Sequence, residues 1–441
     1  MARNDDKQNK QIGAKAKFSR NVITKLLMLI VAAIASYAFY FIVARILSVE
    51  EYGLLYSLIA LTYLFTVPHE TIRAVIARYT VDLVAKKKEG QIKGFFLASV
   101  KNIFGYSFIV FIIFLIFLPL LTGLFHASVL NMIIIGASLL VAFLLPIIWG
   151  ILQGMQSFGH LGINNSIEGV VKLIIAVGLI LLGLGVNGAL ISVPLSLAIA
   201  FFAGLWPIRK ILRKKTEKFK GDKAIIRYSI AAFIIFLLFV ALYSVDAILA
   251  RYFLSARLSG LYGSLSMMSK TGLFVAITIT RVMFSAIAEQ SHKNKKASKL
   301  KEHGSRQILF TAGLYVLIVI AMFLLAAIFA PELYITVFVG NQYLDAAPYL
   351  KYMIIATGLL SLSSLIVFYN LSMNWNKKLT ARTLGAFLFL QIALIILFHR
   401  NLQQFANILI ITNGLLFIAL LLILFFRSPS KTASMEREAK R

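Results

Sequence analysis

The chain contains no cysteine, which removes disulfides, thiolate metal sites and thiol nucleophiles at once. Acids are scarce as well: 17 Asp and Glu stand against 45 Lys and Arg, for a net charge of +28. Charged residues of both signs make up only 14% of the 441 residues, while 60% are hydrophobic. A soluble domain carries about a quarter charged residues and about half apolar ones. So little charge cannot cover a water-facing surface of this size, and most of the chain is read as dissolved in lipid. No cofactor is suggested. His69, His126, His160, His292, His303 and His399 scatter without the spacing of metal ligands.

What the sequence does have is a succession of apolar runs. At about twenty residues per crossing they make an all-α polytopic membrane protein of about twelve helices, near 21–47, 52–85, 94–121, 128–154, 160–184, 188–212, 225–254, 259–289, 305–330, 345–372, 379–399 and 403–427. The first run is too long for the core of a signal peptide and is expected to remain as a span. Basic residues cluster before residue 21, at Lys86 to Lys88 and Lys93, from Arg209 to Lys223, from Lys293 to Lys301, at Lys377 and Lys378, and after Arg427. Each cluster falls at a terminus or an even-numbered loop, whereas the odd loops hold few cations beyond Arg257 and Arg400. The positive-inside rule then places both termini in the cytoplasm and makes this a multi-pass protein of the cytoplasmic membrane. It also accounts for the net charge without nucleic acid.

The expected organisation is a basic N-terminus at 1–20, a six-helix bundle at 21–212, a basic linker at 213–224, a second bundle at 225–427 and a tail at 428–441. A weak repeat links the halves. Ala44-Arg45 recurs as Ala250-Arg251, Leu55-Tyr56 as Leu261-Tyr262, and Gly53 matches Gly260 with a one-residue slip. Repeats of the same orientation imply a pseudo-two-fold axis along the membrane normal and a substrate path between the lobes.

Four segments carry a resemblance: residues 44–57 (ARILSVEEYGLLYS), 71–79 (TIRAVIARY), 152–158 (LQGMQSF), and 243–252 (YSVDAILARY) followed by Gly260-Leu261-Tyr262. In order and spacing they are similar to polysaccharide flippases of the MOP exporter superfamily, the Wzx-like branch. The resemblance implies two parallel six-helix bundles around a central cavity lined by the first, second, seventh and eighth spans. It further implies alternating access that turns over a polyprenyl-diphosphate-linked oligosaccharide, with polysaccharide-assembly enzymes as partners and no catalysis by the chain itself. A cation-coupled multidrug exporter shares the fold and stays open as an alternative. A membrane-embedded glycan polymerase or glycosyltransferase needs a catalytic outer loop, and the longest one, 331–348, holds only Glu332 and Asp345.

Charges inside a bilayer are costly unless they face a cavity or a partner, so each is a candidate for function. Arg73 follows Pro68, which is expected to break or kink the second span, and its guanidinium fork suits a diphosphate; snorkelling to the headgroups is the plainer use. Lys270 lies near mid-membrane in the eighth span, and Arg281, eleven residues on, falls on nearly the same face. Together they form a candidate cationic rail. Asp246 is the one acid clearly inside the seventh span, either an ion-coupling group or the counter-charge of Arg45 or Arg251. The resemblance implies acidic companions for it in the eleventh span, where only Gln391 stands well inside. Glu168 and Lys172, four apart, read as a self-neutralising pair. Tyr37 and Tyr40 are candidate sugar-stacking rings, with helix packing or the interfacial belt as their commoner use.

Overall fold

The computed structural model describes residues 34–35, 37–86, 88–217, 224–293, 298–373 and 375–425. The basic N-terminus, half of the linker at 213–224, the tail and the start of the first span lie outside the described residues. Among those described the secondary structure is helical throughout, without strands. Among the described residues nine helices are long and apolar enough to cross a membrane. With no water in the hydrocarbon to satisfy backbone groups, this is the expected outcome for such a sequence.

The elements in order are α1 (Tyr37–Ile46), α2 (Val49–Tyr63), α3 (Thr66–Ala85), α4 (Glu89–Ile116), α5 (Leu118–Phe125), α6 (Val129–Ala142), α7 (Leu145–Gly154), α8 (Phe158–Leu179) and α9 (Gly185–Leu212). There follow α10 (Ala224–Leu242), α11 (Val245–Phe253), α12 (Ala256–Lys293), α13 (Ser298–Phe329), α14 (Pro331–Phe338), α15 (Ala347–Ser372), α16 (Lys377–Leu397) and α17 (Leu402–Phe425). Two expected spans are interrupted in ways that matter for the site. The run at 52–85 breaks at Leu64–Phe65, and α3 then starts with Pro68 in its first turn, where the missing N–H costs least. The run at 225–254 breaks at Tyr243–Ser244. One expected loop contains structure: Pro331 opens α14 from a position where its fixed φ favours a helix start.

The chain divides into two compact units. The first takes Phe65–Ile225 with the described residues up to Ser48; the second takes Val49–Leu64 with the described residues from Ile226 onward. The boundary thus passes through the break in the second span, and α2 groups with the C-terminal helices, although the basic linker would have assigned it to the first six.

In the first unit Ile76, Leu83, Phe95, Phe96, Ile148, Ile151 and Ile208 form a core shared by α3, α4, α7 and α9. Small residues let α3 and α7 approach closely: a Cβ on Gly150 would stand 2.6 Å from that of Ile76, and one on Gly154 2.5 Å from that of Thr80. Asn164 of α8 donates to the Ala200 carbonyl at 2.8 Å and accepts from Trp149 Nε1 at 2.7 Å, tying α7, α8 and α9 together. In the second unit α15 is enclosed over most of its length. Its inward positions include Thr357, Ser361, Ser363 and Ser364. Thr357 Oγ1 donates to Ser269 of α12 at 3.2 Å, and Asn413 of α17 donates to the Ala356 carbonyl at 3.0 Å. Between helices surrounded by lipid, where no hydrophobic difference drives association, such contacts and close packing hold the bundle.

Candidate functional site

The break between α10 and α11 determines what surrounds Asp246. An unbroken helix would pair the Leu242 carbonyl with the Asp246 N–H; here Gln391 of α16 donates to that carbonyl at 3.1 Å instead. Asp246 becomes the second residue of α11 and is 1% exposed. Opposite it, α12 presents Tyr262, Ser266 and Lys270 at four-residue steps, hence on one face. Lys270 Nζ donates to Asp246 Oδ1 at 3.0 Å and Oδ2 at 2.8 Å, and Tyr262 donates its hydroxyl to Oδ2 at 2.6 Å. Lys270 is 2% exposed, so the pair is closed on both sides.

The third wall is α2. Tyr56 donates to Ser266 Oγ at 3.2 Å, and its ring lies 5.9 Å from the ammonium of Lys270, the outer limit of a cation–π contact. The residues that bring α2 so near are the glycines of the repeat. A Cβ on Gly53 would stand 2.6 Å from the Gly260 nitrogen, and one on Gly260 would collide with the Val49 carbonyl oxygen. Thus the repeat-related segments around Tyr56 and Tyr262 cross face to face, and both tyrosines reach the same ionic group. The partner of Asp246 is Lys270, not Arg45 or Arg251, so the two separate candidates of the sequence form one unit. Deeper along α12, Phe274 joins Tyr63 and Tyr243 in a ring cluster with centroid distances of 5.8–6.4 Å. Tyr63 and Tyr243 each stand at the break of their own span. Arg281, eleven residues beyond Lys270, is exposed.

The remaining candidates belong to the first unit. Arg73 bonds Glu70, three residues earlier, at 2.9 Å; the spacing was readable in the sequence, but Glu70 was not singled out. Lys172 and Glu168 form the expected pair at 3.0 Å, and the ammonium also lies 5.4 Å from the Phe39 ring. His69 meets Trp149 edge to face at 5.2 Å. Tyr37 and Tyr40 of α1 are half-buried and make ring contacts with Phe41 and Phe39 at 6.2 and 5.2 Å. Among the described residues no group of His, Asp and Glu is arranged to hold a metal ion.

Helices of this length and composition, with their charged groups paired within a helix or between neighbours, define a multi-pass α-helical membrane protein. Residues 18–291 match the family described as polysaccharide biosynthesis protein, and the chain belongs to that family. It is 26% identical over 322 residues to an uncharacterized membrane protein of Methanocaldococcus jannaschii, spanning 68% of this chain and 71% of the relative. Among solved structures it is similar to the inward-facing conformation of a multidrug resistance MATE family transporter of the MOP superfamily, with a TM-score of 0.65 at 14% identity, covering 90% of this chain and 96% of that one. It is also similar to the lipid II flippase MurJ in an inward closed conformation, with a TM-score of 0.65 at 16% identity over 92% and 88% of the two chains. The all-α MOP fold expected from the sequence is therefore the fold of this protein.

Proposed function

We propose that this protein is a flippase that carries a polyprenyl-diphosphate-linked oligosaccharide across the cytoplasmic membrane by alternating access, supplying assembly of a cell-surface glycan. Membership of the polysaccharide biosynthesis family supports the substrate class. The observation that carries the reading is Lys270, a cation only 2% exposed whose charge is balanced by Asp246 alone among the described acids. An ammonium so enclosed binds whichever anion can replace its carboxylate, and a diphosphate offers more acceptor oxygens and more charge. Arg281 on the same helix provides a further guanidinium fork for phosphate oxygens, while Tyr37 and Tyr40 offer rings to sugar; the guanidinium of Arg73 is already engaged by Glu70 at 2.9 Å. When the diphosphate takes Lys270, Asp246 loses its counter-charge and takes up a proton or a sodium ion, which ties the crossing to an ion gradient.

An exporter of cationic drugs needs acids free to hold its cargo. Asp246, Glu70 and Glu168 each carry a basic partner instead. A glycosyltransferase would need its outer acids, and Asp345 is engaged by Arg257 at 2.8 Å. The test is reconstitution in liposomes with a fluorescent polyprenyl-diphosphate oligosaccharide, following its arrival in the opposite leaflet for wild type and Lys270→Ala. Flipping by wild type, lost in the folded Lys270→Ala protein, is the expected result. Failure of wild type to move the lipid under pH, sodium or voltage gradients, with export of a cationic dye, refutes it.

A further inference from the structure

The charged groups of the first unit differ from the Asp246–Lys270 pair in being reachable. The side chains of Glu168 and Lys172 are 16% and 14% exposed and those of Glu70 and Arg73 41% and 26%, against 2% and 3% for Asp246 and Lys270. On α8, Asn165, Glu168 and Lys172 stand at i, i+3 and i+7 and share one face. The side-chain oxygen of Asn165 is buried and has no hydrogen-bond partner, a state that buried polar atoms avoid unless a ligand or water completes them. Trp149, fixed by its bond to Asn164, is half-buried beside His69. His69 directly precedes Glu70 on α3, so the indole stands between the Glu70–Arg73 pair on one side and, through Asn164, the α8 helix on the other. Two ion pairs, an anchored indole and an orphaned amide oxygen are thus gathered in one region.

The chemistry of that region selects among ligands. Each ion pair cancels its own charge, so neither a bare anion nor a bare cation is drawn there. A phosphate presents acceptors only: it cannot donate to the Asn165 oxygen, and it would meet the like charge of Glu70 and Glu168. An ammonium presents donors only and would meet Arg73 and Lys172. Hydroxyl groups donate and accept at once, and a ring of them suits alternating carboxylate, cation and amide groups beside an aromatic face. We infer that this region of the first unit is a saccharide-recognition site, taking the uncharged hexose residues of the head group and setting which sugar the protein accepts. The inference rests on the flippase reading above and names where its sugar is read. Glu168, Lys172 and Asn165 are its polar contacts, and Trp149 supplies the stacking ring.

The indole makes the site observable apart from transport. In a Trp206→Phe, Trp375→Phe chain, reconstituted whole, Trp149 is the sole tryptophan. Three probes are titrated: a short-chain polyprenyl-diphosphate-linked disaccharide, the same lipid diphosphate without sugar, and free disaccharides of hexose and N-acetylhexosamine. Trp149 emission should shift with the linked and a free disaccharide and stay constant with the sugarless lipid. Glu168→Gln should raise the half-saturating concentration at least tenfold. Asn165→Leu should do the same without loss of thermal stability, since it removes an atom that lacks a partner. An equal response to the sugarless lipid makes this a phosphate site and overturns the inference. No response to any saccharide, while lipid-linked sugar is still flipped, overturns it and leaves the flippase reading intact. A saccharide response without flipping upholds the site and removes the flippase reading instead.

Discussion

Replacing Lys270 by methionine removes the ammonium and keeps most of the volume, leaving the Asp246 carboxylate 99% buried with only the Tyr262 hydroxyl to solvate it. Breaking a buried pair from one side costs about 3–5 kcal/mol, because the surviving charge is stranded. Asp246→Asn strands the lysine in the same way. If the two residues were independent, their losses would add to roughly 6–10 kcal/mol in the double variant. With both oxygens of Asp246 within 3.0 Å of Lys270 Nζ, the double variant Asp246→Asn, Lys270→Met should instead recover to within about 1 kcal/mol of wild type, since replacing a whole buried pair by uncharged groups is often neutral. The assay is thermal inactivation in detergent or nanodiscs, followed by loss of the folded monodisperse species. Each single variant should fall by roughly 6–20 °C, and the double variant should return most of that. A double variant as unstable as the sum of the singles would refute the pairing. A stable double variant that no longer flips lipid would separate the roles of the pair in folding and in transport.

The crossing of α2 and α12 gives a second expectation. Gly53→Ala puts a methyl group 2.6 Å from the Gly260 nitrogen, and overpacking of that kind costs about 1–3 kcal/mol. Gly105→Ala, where nothing lies within 4 Å, should leave the melting temperature unchanged or slightly raised, and equal effects at the two positions would disprove the close approach. Asn164→Leu leaves the Trp149 indole N–H and the Ala200 carbonyl without their partner. That should cost about 1–3 kcal/mol and shift tryptophan emission; an unchanged spectrum and stability would show that Asn164 does not hold the indole.

Hydropathy made the helical course of the chain legible because a membrane permits only structures that satisfy their own backbone. Pro68 announced the break in the second span, which falls three residues before it, where the proline can open α3 rather than distort it. Glu168 and Lys172 were legible because a pair four residues apart on one helix needs no tertiary information. Asp246 and Lys270 were each recognisable as charges requiring a partner, but their union depends on how α11 and α12 meet. Nothing in either apolar span sets that register. Tyr262 and Ser266 were hidden for the same reason, although Tyr262 had already stood out as the repeat of Tyr56. The repeated glycines were read as a trace of duplication; their physical use, letting two backbones touch, became visible only with both helices in place. Likewise, charge placement marked the linker as the divide between halves, whereas packing assigns α2 to the C-terminal helices.

That assignment has a consequence in time. α2 is made early, and its packing partner is made late: Tyr56 and Ser266 are 210 residues apart in the chain. At a synthesis rate of about 5–20 residues per second, the interval is roughly 10–40 s. Throughout it the face that carries Gly53 and Tyr56 is already in the membrane without the helix it was shaped for. The second unit therefore cannot be completed by its own stretch of sequence. It closes only when a newly inserted α12 finds a helix that has been waiting since the beginning of translation.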